Sequence, residues 1–315
     1  MSPFAIQAEN LTKTFRPNVV AVSGLDLAVK PGSVYGLMGR NGAGKTTALR
    51  LLTGLLTPDQ GTARILGAEL REAPAAARAR VCYAAQSQQL PGWMTVDEIC
   101  RYTASFYERW DWDLSRRLAK DWGLPRNRAI RTLSGGQQRR AALLLAFAPR
   151  PEVLILDEPA GGLDPIARRE LVDELINVLT RGESCTVLVS THLVADLERI
   201  ADHIGILDRG RLILDARLDQ IQTQMQRVQI IFPGENPPPG FALPPGWRQQ
   251  VSGPVVCAVA RDLDGEHLDM IQRWPGVRVQ VFPMSLEEIF FAVHQRNQAA
   301  EVAEASDQKA VISNQ

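Results

Sequence analysis

The residues best suited to chemistry form the glycine-rich stretch Gly39-Arg40-Asn41-Gly42-Ala43-Gly44-Lys45-Thr46. Thr47 follows it and belongs to the same predicted site. Their types and spacing fit the G-x-x-x-x-G-K-[ST] pattern of a phosphate-binding loop. Glycines let the main chain approach a ligand closely, so that successive N–H groups form a nest for an anion. Lys45 adds a positive charge for the outer phosphates, and the Thr46 hydroxyl is a hard oxygen ligand suited to Mg²⁺. The stretch therefore predicts a nucleoside triphosphate site rather than an ordinary glycine-rich turn.

A pair of carboxylates follows an apolar run further along the chain. Asp157 and Glu158 come directly after Leu154-Ile155-Leu156, which has the composition of a buried strand. Ligand sites in parallel sheets form at the carboxyl ends of the strands. We therefore expect Asp157 to hold Mg²⁺ through water and Glu158 to polarise an attacking water. The alternative, acidic turn residues without chemistry, is disfavoured by the phosphate loop upstream.

A second candidate anion nest precedes a helical pattern, with the sequence Ser134-Gly135-Gly136-Gln137. A hydroxyl and exposed N–H groups at a helix N-terminus form a phosphate-binding arrangement. One chain that binds one nucleotide does not need two such nests. The sequence therefore raises the question of which nucleotide the second nest contacts.

The elements that must position these residues follow from the hydrophobic pattern. Residues 4–30 alternate apolar and polar side chains, as half-buried antiparallel strands do. A strand at residues 34–38 leads into the phosphate loop, and a helix follows the loop. Val153–Leu156 and Thr186–Ser190 indicate buried parallel strands joined by a helix over residues 166–179. The pattern predicts a mixed α/β domain.

An inserted segment over residues 95–150 is mostly helical in character. Its aromatic and apolar residues recur at spacings of three and four, which predicts one helix with its stripe packed in the core. We expect Asp113 to cap the next helix, over residues 114–122. The residues of the stripe are Ile99, Tyr102, Phe106 and Trp110.

Composition and charge exclude several classes of protein. Lys+Arg and Asp+Glu are balanced at 35 each, so no global charge favours nucleic acid as a partner. The N-terminus does not have the pattern of a secretory signal, and the apolar run over 141–148 is far shorter than the roughly 20 residues that span a bilayer. The cysteines, which are scattered, indicate reduced thiols in a cytosolic protein; they are Cys82, Cys100, Cys185 and Cys257.

The order of these motifs resembles that of the ATP-binding cassette (ABC) ATPases, whose signature peptide matches Leu133–Gln137. The resemblance covers residues 4–220 and implies a P-loop NTPase fold of ABC type within a domain over 1–222. That fold has a mixed sheet core, an antiparallel β subdomain and an inserted helical subdomain at about 87–150. The resemblance also implies ATP and Mg²⁺ as ligands. Two copies, as a homodimer or a paralogous heterodimer, would pack head to tail, with each ATP between one phosphate loop and the partner's Ser134–Gln137.

Four further positions match family motifs. By the resemblance, Gln86 contacts Mg²⁺ or the attacking water, and Asp164 crosses the dimer interface. His192, just after the strand that neighbours the carboxylate strand, is the residue that contacts the γ-phosphate. Phe15 is the candidate for stacking on adenine, with a core or hairpin aromatic as the alternative.

The resemblance extends to bacterial ABC-2-type exporters, through residues 41–47 and the late segment 284–290. It implies a peripheral subunit on the cytoplasmic face of the membrane, bound to a separately encoded integral membrane permease. The surface at 86–96 would receive that permease, with Trp93 and Met94 either in contact with it or buried in the core. The alternative is a soluble ABC ATPase that acts on nucleic acid or ribosomes. The short interval between the motifs, without heptads, disfavours it.

The C-terminal part of the chain has a different pattern. Prolines cluster over residues 233–246, which predicts a loop between short strands. We expect a small α+β accessory domain over residues 225–294, with a helix at 263–273. Residues 297–315 are polar and alanine-rich, which predicts a disordered tail.

Overall fold

A computed structural model of the protein describes residues 3–180, 185–192, 194–244 and 246–297. The chain divides after Asp215 into two compact units. The first unit contains a six-stranded sheet and a three-stranded sheet, and the second contains a four-stranded sheet. Within the described residues, no helix is both long enough and apolar enough to cross a membrane.

The helices and strands of the first unit follow one another in two groups. The first group is β1 (Ile6–Phe15), β2 (Val19–Val29), β3 (Val34–Met38), α1 (Lys45–Leu52), β4 (Gln60–Ile65), α2 (Ala75–Arg78) and β5 (Val81–Ala84). The second is α3 (Val96–Ala104), α4 (Trp112–Asp121), a 3-10 turn at Ile130–Thr132, α5 (Gly135–Phe147), β6 (Val153–Asp157), α6 (Pro165–Thr180), β7 (Thr186–Thr191), α7 (Val194–Leu197), β8 (His203–Asp208) and β9 (Arg211–Arg217).

The six-stranded sheet has the order β5-β6-β7-β3-β8-β9. Every residue of β3, β6 and β7 is buried, as expected for central strands that are covered on both faces. These strands run parallel, with Asp157 opposite Ser190 at the carboxyl end of the β6–β7 pair. The carboxyl ends of β3, β6 and β7 therefore lie at the same edge of the sheet.

The three-stranded sheet, of order β2-β1-β4, is antiparallel. One apolar core joins it to α1 and the central sheet, through residues that include Ile6, Leu25, Leu49 and Ile155. β4 occupies Gln60–Ile65, and Leu66 and Gly67 follow it with positive φ angles of 52° and 80°. The combination of sheets and helices confirms the predicted mixed α/β fold.

The predicted aromatic stripe does not form one helix face. α3 ends at Ala104, where the Ser105 hydroxyl donates a hydrogen bond to the Tyr102 carbonyl at 2.6 Å. The Tyr102 and Phe106 side chains are 52% and 62% exposed, so their predicted packing in the core is wrong. Their rings instead contact each other edge to face on the surface, with centroids 5.2 Å apart. Hydrophobic spacing alone does not distinguish a core stripe from an apolar surface.

The cap of α4 also differs from the prediction. Asp111, and not Asp113, caps this helix, because its Oδ1 accepts a hydrogen bond from the Leu114 N–H at 2.7 Å. The Asp111 carboxylate is fixed further by Arg150, whose Nε donates to Oδ2 at 2.9 Å. The helix therefore begins at Trp112, two residues before the predicted start.

The second unit contains α8 (Leu218–Gln224), β10 (Met225–Ile231), β11 (Arg248–Ser252), β12 (Val255–Arg261), α9 (Gly265–Gln272), β13 (Arg278–Pro283) and α10 (286–297). Its antiparallel sheet has the order β11-β12-β10-β13. Val228, Ile230, Val256 and Ile271 are among the buried residues of its core. The described part of the proline-rich stretch contains no helix or strand. Residues 298–315, which include most of the predicted tail, lie outside the described residues.

Candidate active site

The phosphate loop connects β3 to α1 in a conformation that requires glycine. Gly44, the residue before α1, has φ +104°, and Gly42 has φ +83°. L side chains rarely adopt such angles. A Cβ on Gly44 would also collide with the Ala21 carbonyl oxygen on β2. The loop is therefore packed between strands, with the N-terminus of α1 directed at its concave side.

Lys45, the first residue of α1, is only 6% exposed. Its Nζ donates hydrogen bonds to the carbonyl oxygens of Gly39, at 2.7 Å, and Arg40, at 3.3 Å. The same Nζ lies 3.0 Å from Oε1 of Glu158 in a buried ion pair. The loop and the end of β6 therefore meet at this ammonium group.

The Asp157 carboxylate is fully buried at the end of β6 and accepts three hydrogen bonds. Its Oδ1 accepts from the hydroxyls of Thr46, at 3.1 Å, and Ser190, at 2.6 Å. Its Oδ2 accepts from the Tyr83 hydroxyl at 3.3 Å. Burial, with the nearby Asp157 charge, raises the pKa of Tyr83 to about 12, so this hydroxyl keeps its proton at neutral pH. The structure thus brings together Thr46 and Asp157, two predicted Mg²⁺ ligands.

Glu158 follows with φ +47°, an uncommon backbone angle for a residue with a side chain. Its N–H donates to the main-chain oxygen of Ser190, at 3.0 Å, and to the Ser190 hydroxyl, at 3.1 Å. Its Oε2 lies 2.7 Å from Nδ1 of His192. The Glu158 side chain is 5% exposed and that of His192 is 46% exposed. Glu158 therefore contacts both Lys45 and His192, from a fixed turn.

The second nest lies at the start of α5. The Ser134 hydroxyl accepts a hydrogen bond from the Gln137 N–H at 3.3 Å, and Gln137 Oε1 accepts from the Ser134 N–H at 3.1 Å. This capping box fixes the helix start. Ser134 and Gly135 are exposed, and Gly136 and Gln137 are partly exposed. The nest is therefore accessible to a ligand.

The other predicted positions are Gln86, Asp164 and Phe15, and all three are exposed. The Gln86 side chain is exposed just after β5. Asp164 Oδ1 accepts hydrogen bonds from the N–H groups of Ile166 and Ala167, at 3.0 and 2.9 Å, and so caps α6. Phe15 ends β1 with 42% of its side chain exposed, which disagrees with a core position, and Lys13 Nζ lies 6.0 Å from its ring centroid.

Arg139 is a residue of the site that the sequence reasoning missed. It lies on α5 and is 9% exposed, and burial lowers the pKa of its guanidinium from the ordinary value. All its hydrogen bonds described here go to main-chain carbonyl oxygens, which belong to Ala85, Gln86, Asp157, Glu158 and Pro159. Its signal in the sequence is the pair Arg139-Arg140, which is separated from the second nest by Gln138 alone.

The donor set fits ATP with Mg²⁺. A glycine nest, a buried lysine and a helix N-terminus suit phosphates, and hydroxyl and carboxylate oxygens suit Mg²⁺. Thr46 and Asp157, whose side-chain oxygens are 3.1 Å apart, would hold the metal, and Gln86 is the third predicted ligand. The hydrogen bonds of Tyr83 and Ser190 fix the carboxylate that the metal requires.

Comparisons with known proteins show the family of this chain. A family model described as ABC transporter matches residues 22–161. The Nod factor export ATP-binding protein I of Cupriavidus metallidurans is 32% identical over 293 residues, which are 90% of this chain and 95% of that protein. The chain belongs to the ABC transporter ATP-binding subunits. The daunorubicin/doxorubicin resistance ATP-binding protein DrrA of Streptomyces peucetius is 34% identical to this ABC subunit over 227 residues, 70% of this chain and 68% of that protein.

A solved structure of the ATP-binding subunit of an ABC transporter is also similar, with a TM-score of 0.62 and 27% identity. The match covers 70% of this chain and 92% of that chain. The predicted ABC fold is therefore confirmed, and this ABC subunit binds and hydrolyses ATP.

Proposed function

We propose that this ABC ATPase powers a membrane exporter, and that two copies hydrolyse ATP at composite sites formed head to tail. The observation that carries the catalytic assignment is the contact of Glu158 with both Lys45, at 3.0 Å, and His192, at 2.7 Å. Lys45 and the glycine nest bind the phosphates. Glu158 accepts the proton of the attacking water, and His192 holds the Glu158 carboxylate in position.

Mg²⁺ is the second ligand in this proposal. When bound, it neutralises charge on the phosphate oxygens. Thr46 and Asp157, whose side-chain oxygens are 3.1 Å apart, would hold it beside the phosphate loop. Gln86, just after β5, would be a third ligand. Because the carboxylate of Asp157 is buried and hydrogen-bonded, it loses little freedom when it binds.

The head-to-tail arrangement is supported by the accessibility of the second nest. Ser134 and Gly135 are exposed at the start of α5, and Asp164 is exposed at the start of α6. A two-fold axis would bring this nest of one copy to the phosphate loop of the other. ATP would then be bound by both copies, and its hydrolysis would weaken the dimer.

Glu158→Gln tests the catalytic assignment. The amide keeps the size of the side chain but cannot accept the proton, so hydrolysis should fall by about a hundredfold or more. ATP binding should persist and trap a dimer, which sedimentation measures. Glu152→Gln, which changes an exposed carboxylate paired with Arg80, is the matched control and should hydrolyse ATP normally. Wild-type turnover in Glu158→Gln would exclude Glu158 as the base.

Exposed aromatic side chains of the inserted segment support docking of a permease subunit. Trp93 is 71% exposed, which contradicts its burial in the core, and Tyr102 and Phe106 are exposed as well. Met94 is partly buried, and its carbonyl accepts a hydrogen bond from Ile130 N–H at 2.8 Å. Exposed aromatic residues are frequent anchors of protein interfaces. Export is supported by the name of the Nod factor export ATP-binding protein I, and a place on the cytoplasmic face of the membrane is part of the same proposal.

A pull-down from detergent-solubilised membranes tests the exporter. The tagged subunit should recover an integral membrane protein, and Trp93→Ser with Phe106→Ser should lose it. Leu55→Ser changes an apolar residue that is 66% exposed elsewhere and should retain it. Recovery of ribosomes or nucleic acid, with no integral membrane protein, would favour the soluble alternative.

A further inference from the structure

The Arg139 side chain connects two segments that flank the proposed reaction. Its Nη1 donates to the carbonyl oxygen of Ala85 and, at 3.1 Å, to that of Gln86. We name residues 85–86 the Gln86 segment. Its Nη2 donates at 2.8 Å to the carbonyl oxygens of both Asp157 and Glu158. Nε donates to the carbonyl oxygen of Pro159 at 3.3 Å. We name residues 157–159 the Glu158 turn.

These contacts use the full capacity of the guanidinium. Arginine carries five N–H donors in a rigid planar fork, and the five carbonyl contacts of Arg139 match that number. The group is almost completely buried, where an unsatisfied donor or carbonyl is costly. No other side chain supplies five donors in one plane. The position therefore requires arginine, and not merely a positive charge.

The contacts also continue the pairing of two strands beyond their ends. β5 pairs with β6 in parallel, and the last pair in the ladder is Ala84 with Leu156. Arg139 donates to the carbonyl oxygens of the next residue of each strand, Ala85 and Asp157, so it joins the strands where their direct pairing ends. Because Arg139 lies on α5, whose first turn is the second nest, it joins three parts of the site.

We propose that Arg139 is a positioning residue that holds the Gln86 segment and the Glu158 turn in one arrangement, so that the hydrolysis rate depends on the full set of its main-chain hydrogen bonds. The proposal rests on the roles proposed above for Gln86 and Glu158. In the described contacts, the Arg139 side chain binds neither the side-chain amide of Gln86 nor the side-chain carboxylate of Glu158.

Arg139→Lys tests the proposal, because it keeps the charge but offers three donors instead of five. We expect kcat to fall by about tenfold or more while the ATP dissociation constant changes by less than about twofold, since the defect is in positioning. In a Glu158→Gln background, the same change should lower the residual rate by less than about twofold. A merely structural role would lower ATP binding or reduce the rate equally in both backgrounds, and either result would overturn the proposal.

Arg117→Gln is the matched control. Arg117 donates two hydrogen bonds, at 3.0 and 2.8 Å, to the buried carboxylate of Glu174 on α6, so its loss also breaks the hydrogen bonds of an arginine in the first unit. It touches neither the Gln86 segment nor the Glu158 turn in the described contacts, and its kcat should stay within about twofold of wild type. A kcat as low as that of Arg139→Lys would attribute the effect to general destabilisation and overturn the proposal.

Hydrogen–deuterium exchange on the wild-type protein provides a second test that does not depend on the solubility of a variant. If one guanidinium holds both segments, peptides over residues 85–89 and 158–162 should open together, with protection factors within about tenfold of each other. Independent opening would overturn the proposal. The two proposals can fail separately. Wild-type activity in Glu158→Gln would exclude Glu158 as the base. Wild-type activity in Arg139→Lys would exclude only the positioning role of Arg139.

Discussion

The Ser190 hydroxyl is a buried hydrogen-bond donor that fixes the Asp157 carboxylate, and its removal should weaken both the fold and Mg²⁺ binding. Ser190 is fully buried, donates to Asp157 Oδ1 at 2.6 Å and accepts from Glu158 N–H at 3.1 Å. In Ser190→Ala, the Glu158 N–H still has the Ser190 main-chain oxygen at 3.0 Å. The loss is therefore mainly one hydrogen bond to a charged group, which stabilises a protein by about 1.5–3 kcal/mol.

We therefore expect Ser190→Ala to lower the free energy of unfolding of the first unit by about 2 kcal/mol. Urea denaturation followed by circular dichroism measures it, and the Mg²⁺ concentration for half-maximal ATPase activity should rise severalfold. Thr186→Val is the matched control on the same strand, because among the described residues the hydroxyl that it removes accepts a hydrogen bond from Gly32 N–H, at 3.0 Å, and contacts no carboxylate. It should cost about 1 kcal/mol and leave the Mg²⁺ requirement unchanged. Unchanged stability and Mg²⁺ requirement in Ser190→Ala would refute this reasoning.

Three further predictions concern the elements that support the site. Gly44→Ala should destabilise the protein by at least about 2 kcal/mol in thermal unfolding and abolish ATP binding, because of the positive φ and the collision with Ala21. Thr95→Ala removes the cap that pairs with Glu98 and should cost about 1 kcal/mol in urea denaturation. Hydrogen bonds from main-chain N–H groups, first that of Ala167, hold the pKa of Asp164 below its ordinary value. The ionised Asp164 carboxylate therefore stabilises the fold at neutral pH, and this stabilisation is lost as the pH falls through the lowered pKa. In Asp164→Asn, the melting temperature should fall less between neutral and acidic pH than in the wild type.

The local parts of the site could be predicted from the sequence, because each depends on a few neighbouring residues. The phosphate loop requires only a strand, spaced glycines and a helix. The position of His192 beside Glu158 follows from two parallel strands whose register sets Asp157 opposite Ser190. Such contacts are predictable when the strands are long, apolar and adjacent.

The remaining features depend on tertiary contacts that residue types do not indicate. Arg139 binds only main-chain oxygens in the described contacts, so no partner side chain marks it in the sequence. Tyr102 and Phe106 have the spacing of a core stripe, yet α3 ends before Phe106 and leaves both rings exposed. The strand β11 could not be predicted from the sequence, because Arg248–Ser252 has little apolar character. Its extended conformation depends on pairing with β12.

Mixing two inactive variants tests the composite site most directly. Lys45→Ala should lack an active phosphate loop, and Ser134→Phe should lack an active second nest. In a head-to-tail heterodimer of the two, one site has both defects and the other is intact, so an equimolar mixture should regain about a quarter of the wild-type ATPase rate. A rate no higher than that of the separate variants would contradict the shared site.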